Sequence, residues 1–510
     1  MLGQDSTVHF PDSDLLIYSK VKDCHMPQVR ISYFLLVCLS VILVLNGHRA
    51  HAQNRQKITR IQFRPENAKA GDVIPFYYKG EYHIFYMRNS SWGHIVSKDL
   101  VNWNELPDAL AKGIDSLAPD GEGCWTGSIV ENKGMFYLFY TGKNAADPKG
   151  DQKVMLATSK DLVQWTKEPS HTFYADGNIY WNKTINGKID DKLIYHHQAF
   201  RDPDVFWNKE KNEWWMILHA TVADQSFPAT GLYISKDLIN WRPSKPLVVY
   251  PVNTNVSGDC PFVFQSNGKW FLNFADYHYK TANRAEGPYD DQPREFDCGD
   301  LRVPKVMWDG RRNILMGWIA DYEDNVDSGR ISWGGTLCMP RELWTDSSGN
   351  EFQRPVKEVI ESFRSLAIQR PQNFIREHVL KIPADYMFHA QLVAKTTDTK
   401  LVIRFPQTSR NDESDYHLKI DFTTKEIEMG SRYKSYKRVC DFDPRQAMDI
   451  RIFRLGDVLE CFINDAWAFT MRAYKRESGK LTLIATEGTF KILRGEISEP
   501  RSAYSETISK

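Results

Sequence analysis

The chain has no excess charge of either sign: its 510 residues hold 65 Lys and Arg against 65 Asp and Glu. A balanced surface lacks the broad basic field that gathers phosphates, so nucleic-acid binding is excluded as its class. Cysteine is scarce. Six of the eight lie beyond residue 53 (Cys124, Cys260, Cys298, Cys338, Cys440 and Cys461), and none has C-x-x-C spacing. No metal constellation is visible, no cofactor motif accompanies it, and the sparse spacing demands no disulfides, so buried free thiols are expected. Long apolar runs are missing too. The strongest, Ile31 to Leu45, falls short of the roughly 20 residues that span a bilayer as a helix. Helical periodicity is rare, which argues against an α/β enzyme fold.

That apolar run has another use. Arg30 precedes it and Ala50-His51-Ala52 closes it with small residues. A charged start, an apolar middle and an A-x-A end describe a secretory signal peptide, with an uncleaved anchor as the alternative. The polar residues before Met26 make Met26 the expected biological start. Residues 1–52 are therefore expected to be a leader cleaved near Ala52, leaving a secreted or periplasmic chain with no stable membrane span.

What the chain does have is repetition. Ser97-Lys98-Asp99-Leu100-Val101-Asn102-Trp103 returns as Ser159-Lys160-Asp161-Leu162-Val163-Gln164-Trp165 and as Ser235-Lys236-Asp237-Leu238-Ile239-Asn240-Trp241. A second pattern, a tight turn leading into aromatic and aliphatic residues, starts at Lys79-Gly80, Lys133-Gly134, Asn212, Gly268 and Gly310. Turn residues followed by such runs read as β-hairpins. Five hairpins at this spacing predict five blades around an axis, a closure that leaves only short sheet edges; the competing arrangement is a β-sandwich. The expected fold is all-β: a five-bladed β-propeller over 53–345, a linker over 346–374 with a short helix from Val356 to Leu366, and a C-terminal β-sandwich over 375–510. The sandwich is expected from short alternating runs such as Leu401–Phe405, His417–Phe422, Ile450–Phe453 and Leu459–Ile463.

In a propeller the innermost strand of each blade borders a shared channel. Asp72, Asp202 and Asp259 lie 8, 10 and 9 residues ahead of Gly80, Asn212 and Gly268, so three blades offer a carboxylate at nearly one level. Carboxylates converging from separate strands are what glycosidic cleavage needs, one to attack or activate water and one to protonate the leaving oxygen. Arg201, beside Asp202, is expected to hold it ionised.

The local contexts carry a resemblance. Phe200-Arg201-Asp202-Pro203 resembles the R-D-P motif of the β-fructosidases, glycoside hydrolase family 32. Trp92-Gly93-His94 running into the first repeat, Cys124-Trp125-Thr126-Gly127-Ser128, Gly317-Trp318, Trp333-Gly334-Gly335 and Met339-Pro340-Arg341-Glu342-Leu343 are similar to its other signatures, in order. The resemblance implies a propeller with a sandwich, an oligo- or polysaccharide substrate, and retaining hydrolysis of terminal furanosides, β-fructosides first. It further implies Asp72 as nucleophile, Asp259 as acid/base and Asp202 as transition-state stabiliser. Two departures stand out. The family's W-M-N-D-P-N-G is replaced by Ala70-Gly71-Asp72-Val73, and its E-C-P by Asp259-Cys260-Pro261. Candidates for the substrate rim are Trp92, His94, Trp125, Ser128, Asp276 and His278, with Arg201. Packing between blades competes for Trp92 and Trp125, a core hydrogen bond for His94, and solvation for Asp276. An inverting, arabinofuranosidase-like hydrolase of family 43 or a binding protein without catalysis fits the same residues.

Overall fold

The computed structural model describes residues 58–187, 199–224, 227–250, 258–374, 376–396, 398–406, 416–475 and 479–501. The expected leader lies outside them. Among the described residues no helix is long and apolar enough to cross a membrane.

Five antiparallel sheets follow one another from residue 58 to 355. The first joins β1 (Ile58–Arg60), β2 (Val73–Tyr78), β3 (Glu81–Arg88), β4 (Ser91–Ser97) and β5 (Asn102–Leu110). The second runs through β6 (Gly123–Asn132), β7 (Met135–Lys143), β8 (Gln152–Ser159) and β9 (Thr166–Lys167). The third comprises β10 (Phe200–Asn208), β11 (Glu213–Thr221), β12 (Pro228–Ser235) and β13 (Trp241–Val249). The fourth comprises β14 (Phe262–Ser266), β15 (Lys269–Phe274), β16 (His278–Ala282) and β17 (Arg294–Glu295). After the short β18 (Asp297–Gly299), the fifth is built from β19 (Leu301–Trp308), β20 (Asn313–Tyr322), β21 (Ile331–Leu337), β22 (Arg341–Thr345) and β23 (Glu351–Pro355).

All five expected hairpins are present, between β2 and β3, β6 and β7, β10 and β11, β14 and β15, and β19 and β20. Each heptapeptide repeat is the outer turn between the last two sequential strands of its sheet, β4 and β5, β8 and β9, or β12 and β13. There Asp237 Oδ1 accepts from the N–H groups of Ile239 and Asn240 at 2.9 and 2.8 Å, and Ser235 donates to it at 3.0 Å. Asp99 and Asp161 do the same. The leucine of each turn, Leu100, Leu162 or Leu238, takes a positive φ and is buried.

Burial explains how the sheets are arranged. Each consecutive pair shares its own apolar core. A fifth core, with Ile84, Tyr86 and Trp103 against Ile314, Met316 and Ala320, joins the last sheet back to the first. The first strands are neighbours in the same sequence: β2 lies by β6, β6 by β10, β10 by β14, and β19 returns to β2.

Two further sheets follow. One orders β18, Trp467–Arg472, Val458–Ile463, Met448–Leu455, Tyr386–Ala394, Phe490–Pro500 and Phe363–Gln369, with Gln372–Phe374 also on Phe490–Pro500. The other orders Glu377–Ile382, Gly479–Glu487, Lys400–Arg404, His417–Asp421, Glu426–Gly430 and Ser435–Val439. Their alternating inward residues, including Phe388, Ile450, Ile403 and Leu483, form one core. The expected linker over 346–374 is corrected: Glu351–Pro355 belongs to the fifth sheet and Phe363–Gln369 to the next one, so the span is built into both parts. The expected helix shrinks to Lys357–Glu361, because the residues after it pair as a strand. The six cysteines are buried and unpaired, as expected.

Candidate active site

Three of the first strands break register at one level. β6 does so between Trp125 and Gly127, β10 between Arg201 and Asp204, and β19 between Arg302 and Lys305. A bulge bends its strand and re-aims the side chains on it. Asp202, Cys260 and Val303 have φ of 62°, 50° and 42°, and each precedes a proline. Positive φ costs an L-residue of order 1–3 kcal/mol and is most unusual for a β-branched one. All three line a single cavity of about 640 Å³, together with Asp72, Asp259 and Thr126.

Asp72 stands just ahead of β2 and is buried. Its Oδ1 accepts from Trp318 Nε1 at 2.9 Å, and its Oδ2 accepts from the Thr126 hydroxyl. Burial raises its pKa above the usual carboxylate range, while these donors pull the other way. Asp202, 3% exposed, has its N–H bonded to Thr141 Oγ1 at 2.7 Å and its Oδ2 to the Cys260 N–H at 3.1 Å. Burial pushes it up to about 7, against the opposing charge of Arg201 and with the help of Asp259 and Asp72. The expectation that Arg201 keeps Asp202 ionised is thus corrected. The Arg201 Nε lies 3.4 Å from Asp202, its terminal nitrogen is bonded to Asp259 Oδ1, and desolvation outweighs the pair. Asp259 is 33% exposed, and His219 Nε2 lies 3.5 Å from the same oxygen. Burial pulls His219 down to about 4, so it is neutral at pH 7.

Of the expected rim residues, Trp125, Arg201, Asp276 and His278 line this cavity. Asp276 lies 3.5 Å from Arg302 Nε, and His278 Nε2 lies 3.4 Å from Glu295. Three others are corrected. Trp92 is fully buried in the core between the first and second sheets. His94 is fully buried, its ring stacked on Phe85 at 4.0 Å and its Nε2 3.0 Å from His83 Nδ1; burial holds its pKa down at about 3. Ser128 Oγ accepts from the Val205 N–H at 2.9 Å and so ties β6 to β10. Sequence reasoning passed over Thr126, Cys260, Val303, Trp318 and Trp333 as cavity residues. A strand proline, which marks a bulge, was the available signal for Val303. Behind the cavity, Lys305 is buried, donates to the Gly127 carbonyl at 2.8 Å and lies 3.7 Å from Asp204.

Known proteins share this fold. Fructan 1-exohydrolase IIa from Cichorium intybus, solved with 1-kestose, matches at a TM-score of 0.69 and 19% identity, covering 88% of this chain and 99% of that one. The exo-inulinase from Aspergillus awamori matches at a TM-score of 0.67 and 18% identity, over 87% and 98%. In sequence, an insoluble β-fructofuranosidase isoenzyme of Arabidopsis thaliana is 28% identical over 63% of this chain, which spans only 60% of that relative. The raffinose invertase of Escherichia coli is 26% identical over 81% of this chain and 88% of its own length. The model of the glycosyl hydrolases family 32 N-terminal domain matches residues 73–355, beginning one residue past Asp72, where the first motif departs. A match over more than half the chain, around a cavity lined by carboxylates from several sheets, shows that the chain belongs to glycoside hydrolase family 32.

Proposed function

We propose that the enzyme removes terminal β-fructofuranosyl units from an oligo- or polysaccharide by double displacement with retention. One observation carries this: Asp72, Asp202 and Asp259, from the first, third and fourth sheets, line one cavity. Asp72 attacks the anomeric carbon as the glycosidic C–O bond breaks, and Asp259 gives its proton to the departing oxygen. Asp259 then takes a proton from water, which displaces Asp72 and frees the sugar. Asp259 accepts from Arg201, the posture of a base. Acid catalysis requires that guanidinium to yield the oxygen to a proton. Asp202 binds sugar hydroxyls as charge develops on the ring. The five sheets over 58–355 act as the blades of a propeller, and the two later sheets, from Phe363 onward, act as a β-sandwich. Export through the leader over 1–52 completes the proposal, and the mature protein should begin near Gln53.

The test is hydrolysis of sucrose, inulin, levan and arabinofuranosides by the mature chain, with NMR of the first-formed anomer. Release of β-fructofuranose is expected, with turnover falling about a thousandfold or more in Asp72→Asn and Asp259→Asn while both stay folded. An inverted product assigns the water-activating mechanism instead. Full activity in either variant refutes the residue roles, and sugar binding without turnover refutes the enzyme.

A further inference from the structure

A second cavity, of about 610 Å³, adjoins the first and shares Ser90 and Trp333 with it. Much of its wall is the segment from Arg64 to Lys69, which leads into Asp72 at the point where the chain departs from the family's first motif. That segment is tied to β21 by paired hydrogen bonds between Ala70 and Gly335, at 2.9 and 2.8 Å. Trp333 packs directly over Gly71, where a Cβ would stand 2.1 Å from its ring. A side chain at position 71 and this placement of the indole exclude each other. The glycine is what lets the ring stand as the wall between the two cavities.

The charge of the second cavity is one-sided. Arg64 and Lys69 line it, 40% and 38% exposed, and both reach the fully buried carboxylate of Asp321, at 2.7 and 3.6 Å. Arg472, also fully buried, reaches the same carboxylate at 3.1 Å from the C-terminal sheet and pairs with Asp457 at 2.6 Å. Three cations therefore meet two carboxylates, and of these five groups only Arg64 and Lys69 face the cavity. Lys69 also donates to Ser332 Oγ at 2.7 Å, which fixes its ammonium beside Trp333. Asn67 and Asn89 add neutral polar groups. An aromatic wall with fixed cations beside it fits a sugar ring that carries a negative charge.

We propose that this cavity is a subsite for a sugar bearing an anionic substituent (a carboxylate, sulfate or phosphate ester), held by Lys69 and Arg64 with its ring against Trp333. The order of the sugars rests on the proposed fructosyl site next door; the recognition of charge does not. Calorimetric titration of the mature full-length chain with glucose 6-phosphate, glucose 6-sulfate, glucuronate, glucose and inorganic phosphate tests it. At least one anionic sugar should bind about ten- to hundredfold more tightly than glucose, with the gap narrowing in salt. The three arms tell which anion is preferred. Lys69→Gln should remove most of the gap, since Asp321 keeps Arg64 and Arg472 and the melting temperature should hold. Equal binding of glucose and every anionic sugar, an unchanged gap in Lys69→Gln, or inorganic phosphate binding as tightly as the sugar esters each overturns the proposal. Failure to hydrolyse fructosides while anionic sugars still bind would sink the fructosidase reading alone.

Discussion

Asp202 works under opposing demands at the scale of one side chain. Burial suits a residue that must exclude water from a developing charge, yet it disfavours the ion, and its pKa stands at about 7. A carboxyl raised in the folded state from 3.8 stabilises the fold below about pH 4 and loses that contribution as pH climbs through 7. Asp202→Asn is therefore expected to melt higher than the parent near pH 8, by up to about 4 kcal/mol of stability, and to keep less than half of that advantage near pH 5. Thermal melts at the two pH values check it. Activity should fall at both, the trade expected of a strained catalytic group. At this scale the sequence was readable where a residue sat in a repeated frame and misleading where it did not. Asp72, Asp202 and Asp259 were found by their offset from the hairpins. Trp92, His94 and Ser128 carried motif resemblance without register, and packing claimed them: an indole in a core, an imidazole on Phe85, a hydroxyl on the Val205 N–H.

The repeated elements divide into outer turns that shape the sheets and inner strands that shape the cavity. In the outer turn at Asp237, two backbone N–H groups converge on one carboxylate oxygen, and the first of these, from Asn240, is chiefly what draws the pKa down to about 2. Asp237→Ala should cost about 1 kcal/mol by leaving those donors to water, with kcat unaltered, whereas Asp237→Asn keeps an acceptor and most of the stability. Denaturant titration paired with an activity assay separates this turn role from a catalytic one. Such turns are legible because Ser, Asp and Leu act locally. The inner bulges are half-legible. Proline follows Asp202 and Val303, and a proline within a strand announces a bulge, but only long-range pairing decides that such a bulge faces the cavity. Val303 is an apolar residue ahead of the fifth hairpin with no chemistry to single it out, and its place in the cavity emerges only when β19 closes against β2.

On the scale of the whole molecule, the two halves are joined by ions, which sequence pattern does not reveal. Arg341, fully buried on β22, donates to Asp297 at 2.6 Å and Gln353 at 2.9 Å, and across to the C-terminal sheet, to Glu460 at 3.0 Å and Thr470 at 2.7 Å. Glu460 also accepts from the Met339 N–H at 3.1 Å and from Gln62 at 2.6 Å, so the start of the chain, its middle and its end meet on one carboxylate. The strand Asp297–Gly299 pairs in parallel with Trp467–Arg472, which places part of the first half inside a sheet of the second. The same strand ends in Arg472, the cation behind the second cavity. An appended support module would come away cleanly; this one would leave Arg341 without Glu460 and the edge of β18 unpaired. Removing one partner of a buried ion pair costs about 3–5 kcal/mol, and Arg341→Ala strands two buried carboxylates at once. That is a large share of the roughly 5–15 kcal/mol holding a typical protein folded. Arg341→Ala should therefore lower the melting temperature steeply, and a chain ending after Val356 should fail to give a soluble, cooperatively melting protein. If the shortened chain instead melts cooperatively and hydrolyses the same substrate, the C-terminal sheets are dispensable and the ion network is decoration on a self-sufficient ring.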